Sequence, residues 1–461
     1  MRSFSIHSSS FRDPSGFMYI DQESGQLRRQ VNKIYQKHYD ALMTSGLYNV
    51  LVSSGRLIEH KELPLTESLQ QDSTYKVIQP NMVPFISYPF EWSFSQLKDA
   101  ALLTLSIQKS ALEHGLILKD ASAYNIQFLD GQPIMIDTLS FEQYIPGTPW
   151  IAYRQFCQHF LAPLAIMSYV DIRLNQWFRI YIDGIPLNLA SKLLPVRTYA
   201  SFGLLSHIHL HAKSQAHFAG KSANIARYSM GKTSLLGLID NLESLVRRLR
   251  WQPAGTEWAE YYTATNYSDE SFAHKKRLVT EFLEKSGAKK VWDVGANDGT
   301  FSRLASGSGR LTVSFDYDPA SVEKNYLRLR HDQTKHLLPL LIDITNPSPN
   351  FGWSNEERDS LIKRGPADCA LALALVHHLA ISNNLPLGHI ASFFSKIARQ
   401  LIIEFVPKSD SQAQKLLVTR PDIFPDYNKN AFEREFKNYF TIAAQESIVG
   451  SERTLYLMQR L

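Results

Sequence analysis

One glycine-rich turn constrains the second half of this chain more than any other feature. Residues 291–302 read Val-Trp-Asp-Val-Gly-Ala-Asn-Asp-Gly-Thr-Phe-Ser. An apolar, β-rich lead-in meets an acidic residue and then the turn, and a helix-compatible stretch from Phe301 follows. Glycine is required where backbone must approach a ligand or a neighbouring strand closely. The pattern predicts the first strand, loop and helix of a nucleotide-type α/β fold. A second apolar strand, Leu311 to Phe315, ends in Asp316, where a carboxylate can accept hydrogen bonds from both hydroxyls of a ribose.

Two ligands compete for this unit. A dinucleotide loop needs G-x-G-x-x-G, and from Gly295 the chain supplies Gly295, Asn297 and Thr300, so two of the three glycines are missing. The S-adenosylmethionine (SAM) pattern is D/E-x-G-x-G-x-G. Asp293, Gly295 and Gly299 match it and Asn297 replaces the middle glycine. Asn is the non-glycine residue that best tolerates a left-handed backbone, so the SAM pattern fits better.

The downstream segments continue in the order of a class I methyltransferase. Leu337 to Ile342 predicts a third strand ending in Asp343, the candidate for the adenine edge; its plainer role is a turn carboxylate. Asp368 to Val376 is a continuous apolar run, as expected of a central parallel strand. It stops at His377 and His378, which as strand-end residues would point to opposite faces, so that one at most meets the acceptor. A histidine suits proton removal from a hydroxyl or amine, and Glu404, on the predicted fifth strand from Gln400 to Val406, is a second candidate base. The segments 439–443 and 453–458, separated by Gly450-Ser451, predict a closing hairpin. Asp318 before Pro319 predicts a helix N-cap. Trp258, Tyr261, Tyr262 and Tyr267 are candidates for an aromatic lid or a carbohydrate platform.

Leu371 to Leu379, Ile403 to Lys408 and Asn346 to Trp353, with Tyr88 to Phe94 and Leu118 to Asn125 upstream, resemble the class I SAM-dependent methyltransferases of the nodulation protein NoeA-like family. The resemblance runs from about residue 50 to the end. It implies SAM as cofactor and a glycan or glycolipid as the modified molecule.

The chain's 461 residues are enough for two or three domains. The expected division is an N-terminal α+β substrate or partner domain over 1–215, a linker and connecting helix over 216–256, and the doubly wound, seven-stranded methyltransferase domain over 257–461. Trp251-Gln252-Pro253-Ala254-Gly255 breaks the helical pattern of 235–249 at the boundary. A net charge of +5 is modest for this length, and the clusters Arg247, Arg248, Arg250 and Lys275, Lys276, Arg277 read as solvated helix faces. Nucleic acid is not the expected partner; a small-molecule or glycan acceptor is. No apolar run is long enough to span a bilayer, and the absence of a secretory signal pattern with only Cys157 and Cys369 points to the cytoplasm.

In the N-terminal half, Asp120 is followed by Asn125 and, after two apolar strands joined at Asp130-Gly131, by Asp137. Kinases use that spacing to orient a hydroxyl and hold magnesium, so a kinase-like domain in a bifunctional kinase-methyltransferase is the alternative to a plain substrate domain. The glycine-rich phosphate loop and the Phe-Gly after the last Asp are missing. His207, His209 and His211 would share one face of a strand and could meet a metal, but no nearby carboxylate completes the set, and no metal is expected.

Overall fold

Strands with apolar faces on both sides, each followed by a helix with one apolar stripe, leave the chain few ways to bury its surface, and a parallel sheet sandwiched by helices is the favoured one. That is the arrangement of the C-terminal half. The computed structural model describes residues 4–213, 230–253, 268–418 and 421–461. The chain divides into two compact units, Met1–Trp251 with Asn350–Arg358, and Gln252–Pro349 with Asp359–Leu461.

The second unit holds seven strands: β1 (Lys290–Val294), β2 (Leu311–Asp316), β3 (Leu337–Leu341), β4 (Ala367–Ala372), β5 (Ala398–Phe405), β6 (Phe440–Ser447) and β7 (Thr454–Arg460), in the spatial order β3-β2-β1-β4-β5-β7-β6. β1 to β5 run parallel and β7 inserts antiparallel between β5 and β6. Reversal of the strand order at β1 opens a crevice beside the carboxyl ends of β1 and β4, where ligands bind in open α/β sheets. Pro339 lies in β3, the edge strand, where a residue without an N–H costs least.

Helices α1 (Asp269–Ser286), α2 (Thr300–Gly307) and α3 (Pro319–Asp332) connect or precede the first strands, and α4 (Leu387–Ile397), α5 (Ser411–Leu417) and α6 (Lys429–Lys437) follow. The α1 stripe Leu278, Val279, Phe282 and Leu283 packs with Phe301 and Ala305 of α2 onto Val291, Leu371, Ile402 and Leu457 of the sheet. Each Val, Leu, Ile or Phe among them stabilises the unit by roughly 1.5–3 kcal/mol through burial. Asp318 caps α3 through Ala320 N–H at 2.8 Å, as expected.

β4 is shorter than its apolar run predicts. It ends at Ala372, Leu373 to Leu375 continue as loop, and the chain turns helical at Val376. His377 and His378 therefore open a π-helical turn over His378–Ser382 and do not finish a strand. Their expected placement on opposite strand faces does not hold; their ring centroids lie 4.1 Å apart.

The first unit carries a five-stranded antiparallel sheet, in the order Phe4–Ile6, Gly16–Asp21, Leu27–Asn32, Thr74–Pro80, His60–Leu63. The helix Phe94–Glu113 starts at a Ser93–Gln96 capping box and packs on Lys232–Arg248, so the helix expected in the connection is part of this unit. The hairpin Ile126–Leu129 with Gln132–Met135 turns at Asp130 (φ 48°) and Gly131 (φ 71°), two left-handed residues that suit the twist of paired strands. His207, His209 and His211 sit on a π-helical turn, Leu205–Leu210, and the helical residues after it, not on a strand. His207 bonds Tyr153 and Asn241, His209 bonds Ser191 and Thr198, and His211 stacks on Tyr153, so each is used in packing.

Candidate functional site

A cavity of about 330 Å³ lies at the carboxyl ends of the second unit's strands, within the range of small-molecule sites. Asp293, Gly295, Asn297, Asp316, Asp343 and His378 line it, as do Phe272, Lys275, Phe301, Tyr317, Thr345 and Leu375. Six of the nine residues predicted for the site are thus brought together.

The loop after β1 is held by its own polar groups. The N–H groups of Gly295 and Ala296 donate to Phe315 O at 2.9 and 3.0 Å, and Asn297 N–H donates to Asp316 Oδ2 at 2.7 Å. Gly295 has φ 74° and Asn297 φ 50°. A Cβ at Gly295 would meet Leu375 Cδ1 at 3.1 Å and narrow the cavity. Gly299, also left-handed at φ 79°, does not line the cavity. It precedes α2 against the Asn325 side chain, which a Cβ would meet at 2.4 Å, so close packing by itself requires glycine there.

Two buried carboxyls face the cavity. Burial pushes Asp293 up to about 7; Ser302 Oγ, donating to its Oδ2 at 2.6 Å, opposes that shift, and the nearby Asp316 charge adds to it. Burial pushes Asp316 up to about 6 against the N–H groups of Asp318 (2.9 Å) and Asn297. Asp316 therefore ties β2 to the β1 loop. Asp343 turns back on its own loop, accepting from Thr345 N–H at 2.8 Å and Thr345 Oγ1 at 2.7 Å. The turn-carboxylate role is present, and Asp343 lines the cavity as well.

The three candidate bases separate. His378 lines the cavity, and burial and the Arg453 charge hold it down at about 4, so its imidazole is neutral near pH 7. His377 is fully buried and does not line the cavity; neither ring nitrogen has a hydrogen-bond partner among the described residues, and burial holds its pKa well below the usual value. Glu404 is also fully buried and away from the cavity. Its carboxylate accepts from Lys275 Nζ at 2.6 Å, Ala374 N–H at 2.8 Å and Arg453 Nη1 at 3.4 Å, so it is an anchor between two cations and not a free base.

Lys275 was missed. It is 3% exposed, where a solvated face was expected, and it reaches the cavity wall between Glu404 and the Phe301 ring, 5.0 Å from the ring centroid. Burial draws its pKa down, against Glu404, which favours the charged form. Ala374, bonded to Glu404 through its N–H, adopts φ 50° on the cavity wall; strain of this kind in a residue with a Cβ gathers at ligand sites. The aromatic candidates Trp258, Tyr261, Tyr262 and Tyr267 lie outside the described residues.

In the first unit, Asp120, Asn125 and Asp137 do converge. Asn125 Nδ2 donates to Ser140 Oγ at 3.2 Å, and Ser140 Oγ donates to Asp137 Oδ2 at 2.6 Å. Burial and the Asp137 charge raise Asp120. Asp137, which burial alone would raise, is held below the usual range by Arg29, whose guanidinium donates to it directly, and by hydrogen bonds from Ser140 and Leu139. A cation already sits on the carboxylate that a kinase would give to magnesium. No group of His, Cys, Asp or Glu among the described residues is arranged to hold a metal.

Reversed strand order at β1, an antiparallel β7 inside the sheet edge, and acid, glycine turn and second acid around one cavity define a class: the class I SAM-dependent methyltransferases. Over 465 aligned residues the chain is 35% identical to nodulation protein NoeA of Rhizobium meliloti (strain 1021), covering 98% of this chain and 95% of that one. The chain belongs to the NoeA family. No protein-family profile matches it. Among solved structures it is similar to N-methyltransferase NodS from Bradyrhizobium japonicum WM9 (10% identity, 42% of this chain and 98% of that chain, TM-score 0.31). It is also similar to magnesium protoporphyrin IX methyltransferase from Synechocystis PCC 6803 (19%, 44% and 92%, 0.32) and to the bifunctional kinase-methyltransferase WbdD (15%, 47% and 45%, 0.30). Likenesses at those scores do not bear on function.

Proposed function

We propose that the protein methylates a hydroxyl or amine on a small-molecule or glycan acceptor, with SAM held in the cavity of the second unit. The observation that carries this reading is the pair of buried carboxyls, Asp293 and Asp316, facing one cavity across the left-handed Gly295 turn. The donor set suits the proposed ligand. Asp316 offers acceptor oxygens for ribose hydroxyls, Asp343 an acceptor for the adenine amino group, and Gly295 and Asn297 open backbone beside them. Lys275 is a cation for the methionine carboxylate and Asp293 an anion for the methionine amine; their opposite charges match the two ends of an amino acid. When bound, SAM supplies an electrophilic methyl group, already activated by its positive sulfur.

The chain's own residues then position and exclude. Phe272, Phe301 and Leu375 exclude water from the cavity wall. The neutral imidazole of His378 accepts the proton that the acceptor hydroxyl or amine gives up, a role open to it because it is uncharged near pH 7. His377, packed behind it, positions the His378 ring. Two buried free cysteines accord with a reducing, cytoplasmic setting, and no helix among the described residues is long and apolar enough to cross a membrane. The bifunctional kinase-methyltransferase alternative has the Asp120, Asn125, Asp137 convergence in its favour and the Arg29–Asp137 pair against it.

Calorimetric titration of the full chain with SAM, beside Asp316→Ala and Lys275→Met, tests the reading. Saturable binding by the wild type, weakened in both variants, supports it. Failure of the folded wild-type protein to bind SAM would refute it.

A further inference from the structure

Three arginines of the first unit converge on a recess of about 360 Å³, lined by Ser168, Tyr169, Arg197, Arg248 and Arg250. Sequence places Arg248 and Arg250 at the end of one helix and suggests a solvated face. The structure adds Arg197, 51 residues upstream of Arg248, and turns a run of charge into a concavity.

Neither helix capping nor an ion pair to a carboxylate occupies these arginines among the described residues. The C-terminal carbonyls of the helix Lys232–Arg248 are already capped, because Lys98 Nζ donates to Arg247 O and Leu249 O, both at 2.9 Å. Arg247, next in sequence, is spent on Glu243 at 2.7 Å. Among the described residues no carboxylate pairs with Arg197, Arg248 or Arg250. Two contacts set the geometry: the Arg197 guanidinium lies over the Tyr169 ring, 5.5 Å from its centroid, and Ser168 Oγ donates to Arg250 O at 2.7 Å. Three guanidinium groups repel one another when gathered in one recess, and a polyvalent oxyanion relieves that repulsion while accepting paired N–H bonds from each fork.

We propose that this recess binds a phosphate or sulfate group. The recess is open to solvent, so the group that carries the anion can extend out of it. A free phosphorylated or sulfated molecule and an anionic lipid headgroup share this chemistry, and two probes separate them.

The full-length chain is titrated with pyrophosphate at constant ionic strength, and in parallel floated with vesicles of phosphatidylcholine containing phosphatidylglycerol. The variants are Arg248→Gln with Arg250→Gln, and Arg247→Gln as the neighbour outside the recess. The double variant is expected to bind pyrophosphate at least about tenfold more weakly, while Arg247→Gln binds like wild type and both retain SAM binding and the wild-type melting curve. Pyrophosphate binding without flotation identifies a soluble ligand; flotation lost in the double variant alone identifies a headgroup. Absence of both pyrophosphate binding and flotation in the wild type, or equal losses in the double variant and Arg247→Gln, overturns the site.

Discussion

At the scale of single residues, burial decides which predicted side chains can act. Asp316 lies 8% exposed at the carboxyl end of β2, its pKa pushed up to about 6. The sign of the consequence follows. Above that pH the carboxyl is ionised and can accept from ribose hydroxyls; below it, a proton occupies the acceptor. The Asp316 share of SAM affinity is therefore fully present at alkaline pH and falls through about pH 6, by up to about tenfold per pH unit below it, on top of the loss that Asp293 brings near pH 7. In Asp316→Asn the affinity should be lower and the step near pH 6 absent, leaving only the dependence from Asp293 near pH 7. A step unchanged in the variant would assign the proton elsewhere. The glycines give a second residue-scale prediction. Gly299 and Gly309 are both left-handed, but a Cβ at Gly309 meets nothing, whereas one at Gly299 meets Asn325 at 2.4 Å. Gly309→Ala should cost only backbone strain, about 1 kcal/mol; Gly299→Ala adds overpacking and should cost about 3 kcal/mol. Denaturant midpoints of the two variants compare them directly.

Among elements, the strands and turns of the second unit were legible because their signals are local: apolar runs, an acid at or just past the ends of β1, β2, β3 and β5, and glycine or proline at several of the breaks. β4 was overextended because Leu373 to Val376 are apolar for another reason, three of them walling the cavity. The three histidines at 207, 209 and 211 suggested a strand by their alternation, but on the π-helical turn they point to different partners, His207 to Tyr153 and Asn241 and His209 to Ser191 and Thr198. Lys275 was hidden by its charged neighbours, although a signal was present. In α1 the buried positions are Ser271, Lys275, Leu278, Val279, Phe282 and Leu283, and that spacing puts Lys275 on the inward stripe. No pattern within one element could show what neutralises it. Glu404 of β5, Arg453 before β7 and Asp410 before α5 meet it only in three dimensions, with Arg453 paired to Asp410 at 2.7 and 3.0 Å. The four charges balance. Glu404→Gln leaves Lys275 and Arg453 with one carboxylate between them in a buried site, and should cost about 3–5 kcal/mol, or roughly 10 °C in the melting of the second unit. A melting temperature within a degree or two of wild type would show that the network carries little of the unit's stability.

For the molecule as a whole, connectivity and compactness do not coincide. Residues 350–358 lie within the methyltransferase sequence, between β3 and β4, yet belong to the first compact unit. There Phe351 is 9% exposed and meets Tyr88 and Phe90 edge-on, at 5.2 and 5.5 Å between ring centroids. Arg12 donates twice, both at 2.8 Å, to Glu357, whose side chain is 1% exposed. A sequence reading that places a boundary at one point along the chain cannot show such a return; the aromatic residues and the salt-bridge partners are hundreds of residues apart. The same unit bears on bifunctionality, since Arg29 sits on Asp137. ATP with magnesium should leave the melting curve of the full chain unchanged, and a shift abolished by Asp137→Ala would restore the kinase alternative. The insertion itself predicts how the two units respond separately. SAM should raise the melting of the second unit. Phe351→Ala, though its position lies in the methyltransferase sequence, should lower the melting of the first, by up to about 3–5 kcal/mol for the lost aromatic burial. The SAM-induced shift should survive in that variant. If Phe351→Ala instead lowers the transition that SAM raises, the segment supports the cavity and the compact units divide elsewhere. If it lowers the other transition alone, a loop of the catalytic sequence is structurally part of the N-terminal unit, and a fragment starting at residue 252 would leave Phe351 and Glu357 without their partners.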